Sequence, residues 1–320
     1  MFINILLLQV RPAESIIPPE QRNLMLVWEE KIMVTNSMWD MGRGAACVIG
    51  ILAYFNPGAT PDIYCFDYCS KQWSELPECP TCNFALVIVN DLLTTVGGEE
   101  EGDKLFSFSD EGKWVEEFTP MPTKREYPAA VCTGHSLVVA GGRDEGKDLP
   151  TVEVMDTNTL QWFTAASLPS RRIGLACMTV CGDNLYLLGD ATIRVYSCSI
   201  QALLQTCQAP GRVSTLQQAS VWNRGADLPV KWSTAATLCG QLVSVGGTDD
   251  EEVAVNSVYC YDPVTTTWKI IGQIPSCKEA PLVTTLPGDK LIIVYGDGDG
   301  DSEGDCDGDV TIDIASAKLN

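Results

Sequence analysis

The segment LVVAGG (Leu137–Gly142) decides the fold because it recurs along the chain. An apolar run that ends in a glycine pair is found again at LLTTVGG (92–98) and LVSVGG (242–247). Degenerate copies stand at LYLLGD (185–190) and LIIVYG (291–296), so that successive copies lie 44 to 57 residues apart. A period of this length is typical of a protein built from repeated units.

In each unit, the apolar run with its terminal glycines is followed by a polar loop, a strand-like segment and a tryptophan. In FDYCSKQW (66–73), MDTNTLQW (155–162) and YDPVTTTW (261–268), an aromatic residue or Met stands seven positions before the tryptophan. A proline preceded by Leu, Ile or Met then links to the next unit, at Pro77, Pro122, Pro169, Pro229 and Pro275. The alternation predicts four short antiparallel strands per unit. Such a sheet cannot bury both faces alone, so the units must pack around an axis, with the tryptophans covering the interfaces between them.

The glycine pairs, the seven-residue spacing and the link from Trp to Leu-Pro resemble the kelch-repeat family of β-propellers. The resemblance covers residues 24–320 and implies an all-β, six-bladed kelch-type propeller, with residues 1–23 as an N-terminal lead-in. In the first blade LAYFNPG (52–58) replaces the glycine pair, and in the fourth an insert spans residues 199–220. The last blade ends with VTIDIAS (310–316), and LMLVWEE (24–30) is predicted to close it as the outer strand, which would remove an exposed edge.

Composition excludes some classes of partner. The chain has 21 Lys and Arg against 42 Asp and Glu, a net charge of −21. This balance argues against binding nucleic acid or an anionic membrane surface through bulk charge. The apolar opening, residues 2–10, has no basic n-region, so we expect a strand or a lead-in there, not a signal peptide. Several of the 14 cysteines lie in strand-like apolar runs, as buried free thiols do in a reducing compartment, and the predicted location is cytoplasmic.

The acidic residues are concentrated in loops that share one face of the predicted propeller. With strands a to d in each blade, the b–c and d–a loops emerge together, and the segments 99–103, 249–252 and 297–309 all follow a glycine anchor, in b–c loops. The last lies in GDGDGDSEGDCDGD (296–309), where Asp299, Asp301 and Glu303 match the first positions of a calcium loop. Position 12 is Val310, however, and strands flank the segment, so a solvated or partner-facing hairpin tip is favoured over a weak cation site.

The d–a loops carry basic residues that we predict to bind a partner: Lys124, Arg125, Arg171, Arg172, Lys231 and Lys278. They would form a basic inner patch within the acidic ring and could engage a carboxylate-bearing peptide bidentately. The resemblance implies the same use, since related propellers often grip acidic partner segments there through arginines. The alternative, left open, is that these cations pair with the neighbouring acidic loops.

The residues that catalysis or metal binding would need are sparse. His135, the single histidine, is predicted to lie in an a–b turn, which argues against a histidine metal site or a hydrolase triad. Cys65, Cys69, Cys79 and Cys82 have the count for structural zinc, but they fall on an outer strand and the loop after it. We therefore predict no catalytic residue, no metal and no cofactor.

The predicted function is a non-enzymatic protein–protein interaction module that binds a partner segment through its b–c and d–a loops. The family implies roles such as a scaffold or a substrate receptor of a ubiquitin ligase. One alternative is an enzyme on the same scaffold, a sugar isomerase or a metal-dependent lyase. Another is an actin-associated structural propeller.

Overall fold

The structure is a computed structural model that describes residues 24–34, 44–58, 60–170, 177–188, 191–210, 221–276, 281–296 and 310–319. The described strands form six four-stranded antiparallel sheets, the blades of a β-propeller. The inner strand of each blade contacts the inner strands of both neighbours, and the sixth contacts the first, so the ring is closed. The prediction of an all-β, six-bladed propeller is therefore confirmed. The division into a lead-in at 1–23 and a propeller at 24–320 stays a prediction, since residues 1–23 lie outside the described part.

The strands follow one another regularly along the chain. The first, β1 (Leu24–Val34), is the outer strand of blade 6. Blade 1 consists of β2 (Ala45–Ile49), β3 (Leu52–Asn56), β4 (Tyr64–Asp67) and β5 (Gln72–Glu75), and blade 2 of β6 (Ala85–Val89), β7 (Leu92–Val96), β8 (Leu105–Phe108) and β9 (Trp114–Glu116). Blade 3 consists of β10 (Ala129–Thr133), β11 (Ser136–Ala140), β14 (Val152–Asp156) and β15 (Gln161–Ala165). Its b–c loop contains the short strand pair β12 (Arg143–Asp144) and β13 (Lys147–Asp148).

The second half repeats the pattern. Blade 4 is β16 (Cys177–Cys181), β17 (Asn184–Leu188), β18 (Tyr196–Ser199) and β19 (Asn223–Arg224), with the helix α1 (Ile200–Leu204) inserted before its last strand. Blade 5 is β20 (Thr234–Leu238), β21 (Gln241–Val245), β22 (Ser257–Asp262) and β23 (Thr267–Gln273), and blade 6 is β24 (Leu282–Leu286), β25 (Lys290–Gly296), β26 (Val310–Leu319) and β1.

Blade 6 is closed by the two ends of the described chain, as predicted. β1 runs antiparallel to β26, with a register from Leu24 opposite Leu319 to Val34 opposite Val310 and one irregularity between Trp28 and Glu30. The closing strand extends to Val34, four residues beyond the predicted segment. Pairing of the two ends satisfies the backbone groups of β26 that would otherwise form an open edge.

The tryptophans join neighbouring blades, which confirms the role predicted for them. The spacing of seven places Trp162 opposite Met155 and Trp268 opposite Tyr261 across strands c and d, and Trp114 lies opposite Phe108 at a spacing of six. The indole Nε1 then donates to a carbonyl in the segment that leaves the preceding blade. These bonds run from Trp114 to Pro77 (2.7 Å), from Trp162 to Thr119 (2.9 Å), from Trp222 to Ala166 (3.1 Å) and from Trp268 to Ala226 (3.1 Å). Each bond ties a blade to the chain entering it.

The insert of blade 4 lies against blade 3. Leu203 of α1 is fully buried, and Thr164 of β15 exchanges two backbone hydrogen bonds of 2.9 Å with Gln208. The insert thereby covers part of the outer edge of blade 3. α1 is the only helix in the described part of the chain. No helix there has the length and apolarity that a membrane span requires.

The glycine pairs are needed because two segments of backbone approach closely where strand b ends. Gly142 (φ +84°) and Gly247 (φ +105°) adopt the left-handed region, and a Cβ on them would lie 2.6 Å from the carbonyl oxygen of Glu126 and 2.4 Å from that of Lys231. Both carbonyls belong to the d–a segment that enters the same blade. Only glycine allows this contact without displacing the backbone.

Candidate interaction face

A cavity of about 150 Å³ opens on the propeller axis where the inner strands begin. Because the inner strands start at the d–a loops, the cavity lies on the b–c/d–a face. All six blades supply its wall, with the first inner-strand residues Ala45, Ala85, Ala129, Cys177, Thr234 and Leu282 among them. Among the described residues that line the cavity, none carries a charged side chain. The site is thus a small depression without charged side chains, lined by polar and apolar surface in similar amounts, at the centre of a face whose loops are charged.

The b–c loops are hydrogen-bonded to the segments that lead into this wall. In blade 3 the backbones of Glu126 and Arg143 exchange two hydrogen bonds of 2.8 Å, and in blade 5 those of Lys231 and Thr248 exchange bonds of 2.9 and 2.8 Å. In blade 2 the amide of Glu99 donates to the carbonyl of Cys82 at 3.1 Å. In each case the bonded d–a residue stands two positions before a residue of the cavity wall. The acidic loops therefore begin close to the rim of the cavity.

Arg125 does not lie on this face, which corrects its prediction as a partner-binding residue. Its side chain is fully buried, and Nη2 forms an ion pair with Oε2 of Glu153 at 2.9 Å. Nη1 donates to the carbonyl of Gly141 at 2.7 Å, and Nη2 also donates to Oγ1 of Thr151 at 3.1 Å. Burial lowers the pKa of the guanidinium while the charge of Glu153 opposes that shift. Arg125 joins the incoming d–a segment to strand c within blade 3, and burial closes its side chain off from a partner at the surface.

Lys124 and Lys231 do lie on the face, beside acids. The Nζ of Lys124 is 3.8 Å from Oδ1 of Asp103, and that of Lys231 is 3.8 Å from Oδ1 of Asp250. In the described part of the d–a loops, the cations thus pair with acidic residues, as the alternative reading held. Arg171, Arg172 and Lys278 fall outside the described residues, as do positions 297–309, and their roles stay predictions.

The partner of Arg125 was missed in the sequence although a signal was present. Glu153 stands within VEVMD, a segment whose first four residues are all buried, and its own exposure is 2%. A carboxylate inside an apolar strand requires a buried partner, because an unpaired charge there costs several kcal/mol. Glu153 also contacts Thr123, whose hydroxyl donates to its Oε1 at 2.5 Å.

His135, Cys79 and Cys82 lie apart from the cavity wall. His135 is exposed in the turn between β10 and β11, as predicted. Cys79 is buried beside the hydroxyl of Thr95 (3.7 Å), and the thiol of Cys82 donates to Glu99 at 3.4 Å. Burial and the Glu99 carboxylate raise the pKa of Cys82 to about 11, so this thiol stays protonated at neutral pH. Within the described ranges, His, Cys, Asp and Glu side chains form no group of three or more that could hold a metal ion.

Comparison with known proteins agrees with this architecture. The Kelch motif model matches residues 124–169 and 233–273, which include every strand of blades 3 and 5. These matches support a kelch-repeat family for this six-bladed β-propeller. Curated relatives extend the agreement over more of the chain. It is 24% identical to Kelch-like protein 36 of Bos taurus over 260 residues, which are 76% of the chain and 40% of the relative.

Two further comparisons bear on the kelch propeller. Kelch-like protein 15 of Homo sapiens is 24% identical over 254 residues, which are 71% of the chain and 40% of that protein. The chain therefore spans less than half the length of these relatives. The solved structure titled "Structure of YjhT" aligns with a TM-score of 0.64 at 14% identity, covering 87% of the chain and 97% of YjhT. At that identity the likeness establishes the fold alone.

Proposed function

We propose that this kelch propeller is a non-enzymatic module that binds a segment of another protein on its b–c/d–a face. The observation that carries the proposal is the uncharged cavity at the centre of that face, to which all six blades contribute. A small depression framed by loops that differ in sequence from blade to blade suits the anchoring of one side chain of a partner, with the loops contacting the residues beside it.

The location of the buried carboxylates favours a binding module over an enzyme. An enzyme on this scaffold would need ionisable groups that converge on the cavity, since acid–base chemistry requires contact with the substrate. The buried acids of the described strands are held elsewhere. Glu153 is paired with Arg125, and Asp313 accepts a hydrogen bond from the hydroxyl of Tyr295. The sugar isomerase and lyase alternatives would need such groups in the cavity, and no Asp, Glu or His is among its described lining residues.

The setting proposed for the module follows from its thiols and its family. The twelve cysteines in the described part of the chain are free thiols, as expected in the reducing cytoplasm. Kelch-like relatives suggest a scaffold or a substrate receptor of a ubiquitin ligase, and we extend that role to this chain as part of the proposal. Actin remains a candidate partner, and co-sedimentation with filaments would test it directly.

The acidic partner segment expected from the sequence has less support than the face itself. That expectation required free cations on the d–a loops. Arg125 is buried, and Lys124 and Lys231 lie beside Asp103 and Asp250. An acidic partner would now have to depend on Arg171, Arg172 and Lys278.

The proposal can be tested by affinity capture from cell extract with two matched variants as bait. The first changes the b–c loop of blade 5 by Val253→Ser, Glu251→Lys and Glu252→Lys. The control makes the same kinds of change on the opposite face, by Val264→Ser, Asp110→Lys and Glu111→Lys. All six side chains are exposed, so both variants should melt as the wild type does.

We expect partners identified by mass spectrometry to be captured by the wild type and the control but lost from the blade 5 variant. Loss from the control alone would place binding on the a–b/c–d face and contradict the proposal. Equal capture by all three baits would also contradict it, because the loops beside the cavity would then have no part in recognition.

A further inference from the structure

We propose that the b–c/d–a face recognises a cationic segment with a central apolar residue, whose side chain enters the axial cavity while its flanking Lys or Arg residues meet the acidic b–c loops. This inference rests on the proposed function and specifies the chemistry of the partner. It reverses the charge of the partner expected from the sequence.

The size and lining of the cavity determine the central residue. A volume of about 150 Å³ is comparable to that of cavities that accept a benzene-sized apolar molecule. Its wall includes the apolar side chains of Phe84, Leu86, Met178 and Val283. The polar side chains of Tyr127, Ser233 and Thr234 also line it, and no described lining residue is charged. A leucine- or phenylalanine-sized side chain fits this space, whereas a charged group would lose its hydration without gaining an ionic partner at the wall.

The loops next to the cavity determine the flanking residues. In blade 5 the b–c loop presents Asp250, Glu251 and Glu252, all exposed, together with Val253, which is 55% exposed. Its neighbour in the d–a segment, Lys231, is only 28% exposed and offsets one of these charges. The loop therefore keeps a net negative charge beside the cavity, with an apolar side chain among the acids.

Blade 2 repeats this arrangement on another side of the cavity. Its b–c loop carries Glu99, Glu100 and Glu101, and Lys104 of the same loop is already shared between Glu101 (3.0 Å) and Glu116 (3.4 Å). Since Glu99 is bonded through its amide to Cys82, two residues before Phe84, its charge stands near the wall.

The cavity wall itself responds to this negative charge. Tyr127 lines the cavity, and the pKa of its hydroxyl is raised, first by burial and then by the carboxylates of Glu126 and Glu99. Arg143 opposes the shift, but it is paired with Asp148 at 2.9 Å. The carboxylates of Glu126 and Glu99 thus disfavour a further negative charge at this side of the cavity. Burial, the larger cause, disfavours a charge of either sign inside the wall, so the cations of a partner would lie at the loops outside it.

Fluorescence anisotropy with synthetic peptides and the full chain tests the inference. The probe is a labelled seven-residue peptide with a central Leu flanked on each side by three Lys or Arg residues. One comparison peptide has Gly at the centre, and another keeps the Leu but replaces every basic residue by Asp or Glu. Two protein variants are matched in charge: Asp250→Asn, Glu251→Gln and Glu252→Gln beside the cavity, and Asp91→Asn, Asp110→Asn and Glu111→Gln on the opposite face.

We expect the cationic Leu peptide to bind the wild type and the opposite-face variant equally. The blade 5 variant should bind about tenfold more weakly, from three surface charge pairs of ordinary strength. The Gly peptide should bind at least about tenfold more weakly than the Leu peptide because it buries no side chain. Raising the salt concentration should weaken binding to the wild type more than binding to the blade 5 variant.

Two results would overturn the inference. One is tighter binding of the acidic peptide, and the other is an equal loss of affinity in the two protein variants, which would indicate attraction to the net charge of −21 with no defined site. Neither result would remove the proposed function, because the capture experiment maps the binding face whatever the charge of the partner. If the capture experiment failed and the anisotropy experiment succeeded, the face would recognise the cationic peptide but the proposed function of binding a cellular partner there would be contradicted.

Discussion

Blades 3 and 5 make the same junction from different side chains. In blade 3 the incoming d–a segment is joined to strand c by the buried ion pair of Arg125 and Glu153. At the equivalent positions of blade 5 stand Val230 and Tyr259, which are 2% and 8% exposed and belong to one apolar cluster. The d–a segment is therefore held against strand c by a buried ion pair in blade 3 and by apolar packing in blade 5.

The backbone establishes which residues are equivalent. The double hydrogen bond between Glu126 and Arg143 in blade 3 matches that between Lys231 and Thr248 in blade 5, so the preceding residues, Arg125 and Val230, correspond. Likewise the amide of Gly141 donates to Thr151 and that of Gly246 to Ser257, and two residues further along the chain lie Glu153 and Tyr259.

The comparison teaches that a basic residue in a d–a loop can belong to the core or to the surface. Arg125 and Lys231 lie one position apart in the repeat, yet one is fully buried and the other stands at the rim. The difference follows from that one position, because Arg125 and Val230 are buried beside strand c whereas the next residues, Glu126 and Lys231, are partly exposed.

The largest expected effect comes from breaking the ion pair of blade 3. Arg125→Val alone should destabilise the protein by about 3–5 kcal/mol, because it leaves the buried carboxylate of Glu153 without a counter-charge. The double variant Arg125→Val, Glu153→Tyr installs the residues of blade 5 and should recover most of that loss. Urea midpoints of the single and double variants measure it. A double variant less stable than the single would mean that the two blades cannot exchange this junction.

The glycines test the part of the junction that the two blades share. Gly142→Ala and Gly247→Ala should each cost about 2–4 kcal/mol, from left-handed strain and from overlap with a carbonyl. Gly134, in the a–b turn of blade 3, has φ +57° with nothing near its Cβ position. Gly134→Ala should therefore cost only about 1 kcal/mol, the strain alone. Melting temperatures of the three variants check the order, and equal losses would contradict the close approach.

Replacing the tryptophans should again affect blades 3 and 5 differently, by a smaller difference in the free energy of unfolding. Trp162→Phe and Trp268→Phe each remove one indole hydrogen bond, to Thr119 and Ala226 respectively, at about 1 kcal/mol. Trp162 is 7% exposed, whereas Trp268 is only partly buried, so we expect the greater loss in blade 3. Chemical denaturation of the two variants measures the difference, and a greater loss at Trp268 would show that burial does not set the cost.

The smallest effect is expected from an exposed ion pair with the same distance as the buried one. Nζ of Lys269 is 2.9 Å from Oδ2 of Asp262 in blade 5, and both groups are in contact with solvent. Lys269→Ala should cost less than about 0.5 kcal/mol. A loss as large as that of Arg125→Val would contradict the view that burial, not distance, determines the value of an ion pair.

The same pair gives a dependence on pH. The Lys269 ammonium, followed by hydrogen bonds from Thr265, holds the pKa of Asp262 below its usual range. Because the pKa of Asp262 is lower in the folded state, its carboxylate stabilises the fold above the unfolded pKa of about 3.9. That stabilisation is lost as the pH falls through the folded pKa. The difference in urea midpoint between the wild type and Asp262→Asn should therefore be full at pH 7 and shrink below about pH 4. Asp183→Asn, in an exposed a–b turn, is the control.

The sequence contained enough to predict the fold, since repeats at a fixed period leave few alternatives. LVVAGG and its copies located the second strand of each blade, and the spacing of seven to the tryptophan located the outer two. The closing strand was also predictable, because blade 6 lacked one strand and 24–30 had the pattern to supply it. Only the length of that strand, which reaches Val34, required the structure.

The candidate site was less predictable because it depends on side-chain partners far apart in the sequence. Arg125 was assigned to the surface from its loop, although Glu153, 28 residues later, draws it into the core. The cavity could not be foreseen either, since it arises where six inner strands from distant parts of the chain begin side by side. Loop position predicts the face of a residue but not its depth.

The most direct test of this account is partner capture by the double variant Arg125→Val, Glu153→Tyr, once its melt has been compared with that of the wild type. If Arg125 serves the core and the face recognises its partner through the cavity and the b–c loops, the variant will capture the same proteins in the same amounts. A folded double variant that loses those partners would show that Arg125 contacts them, and would contradict the account.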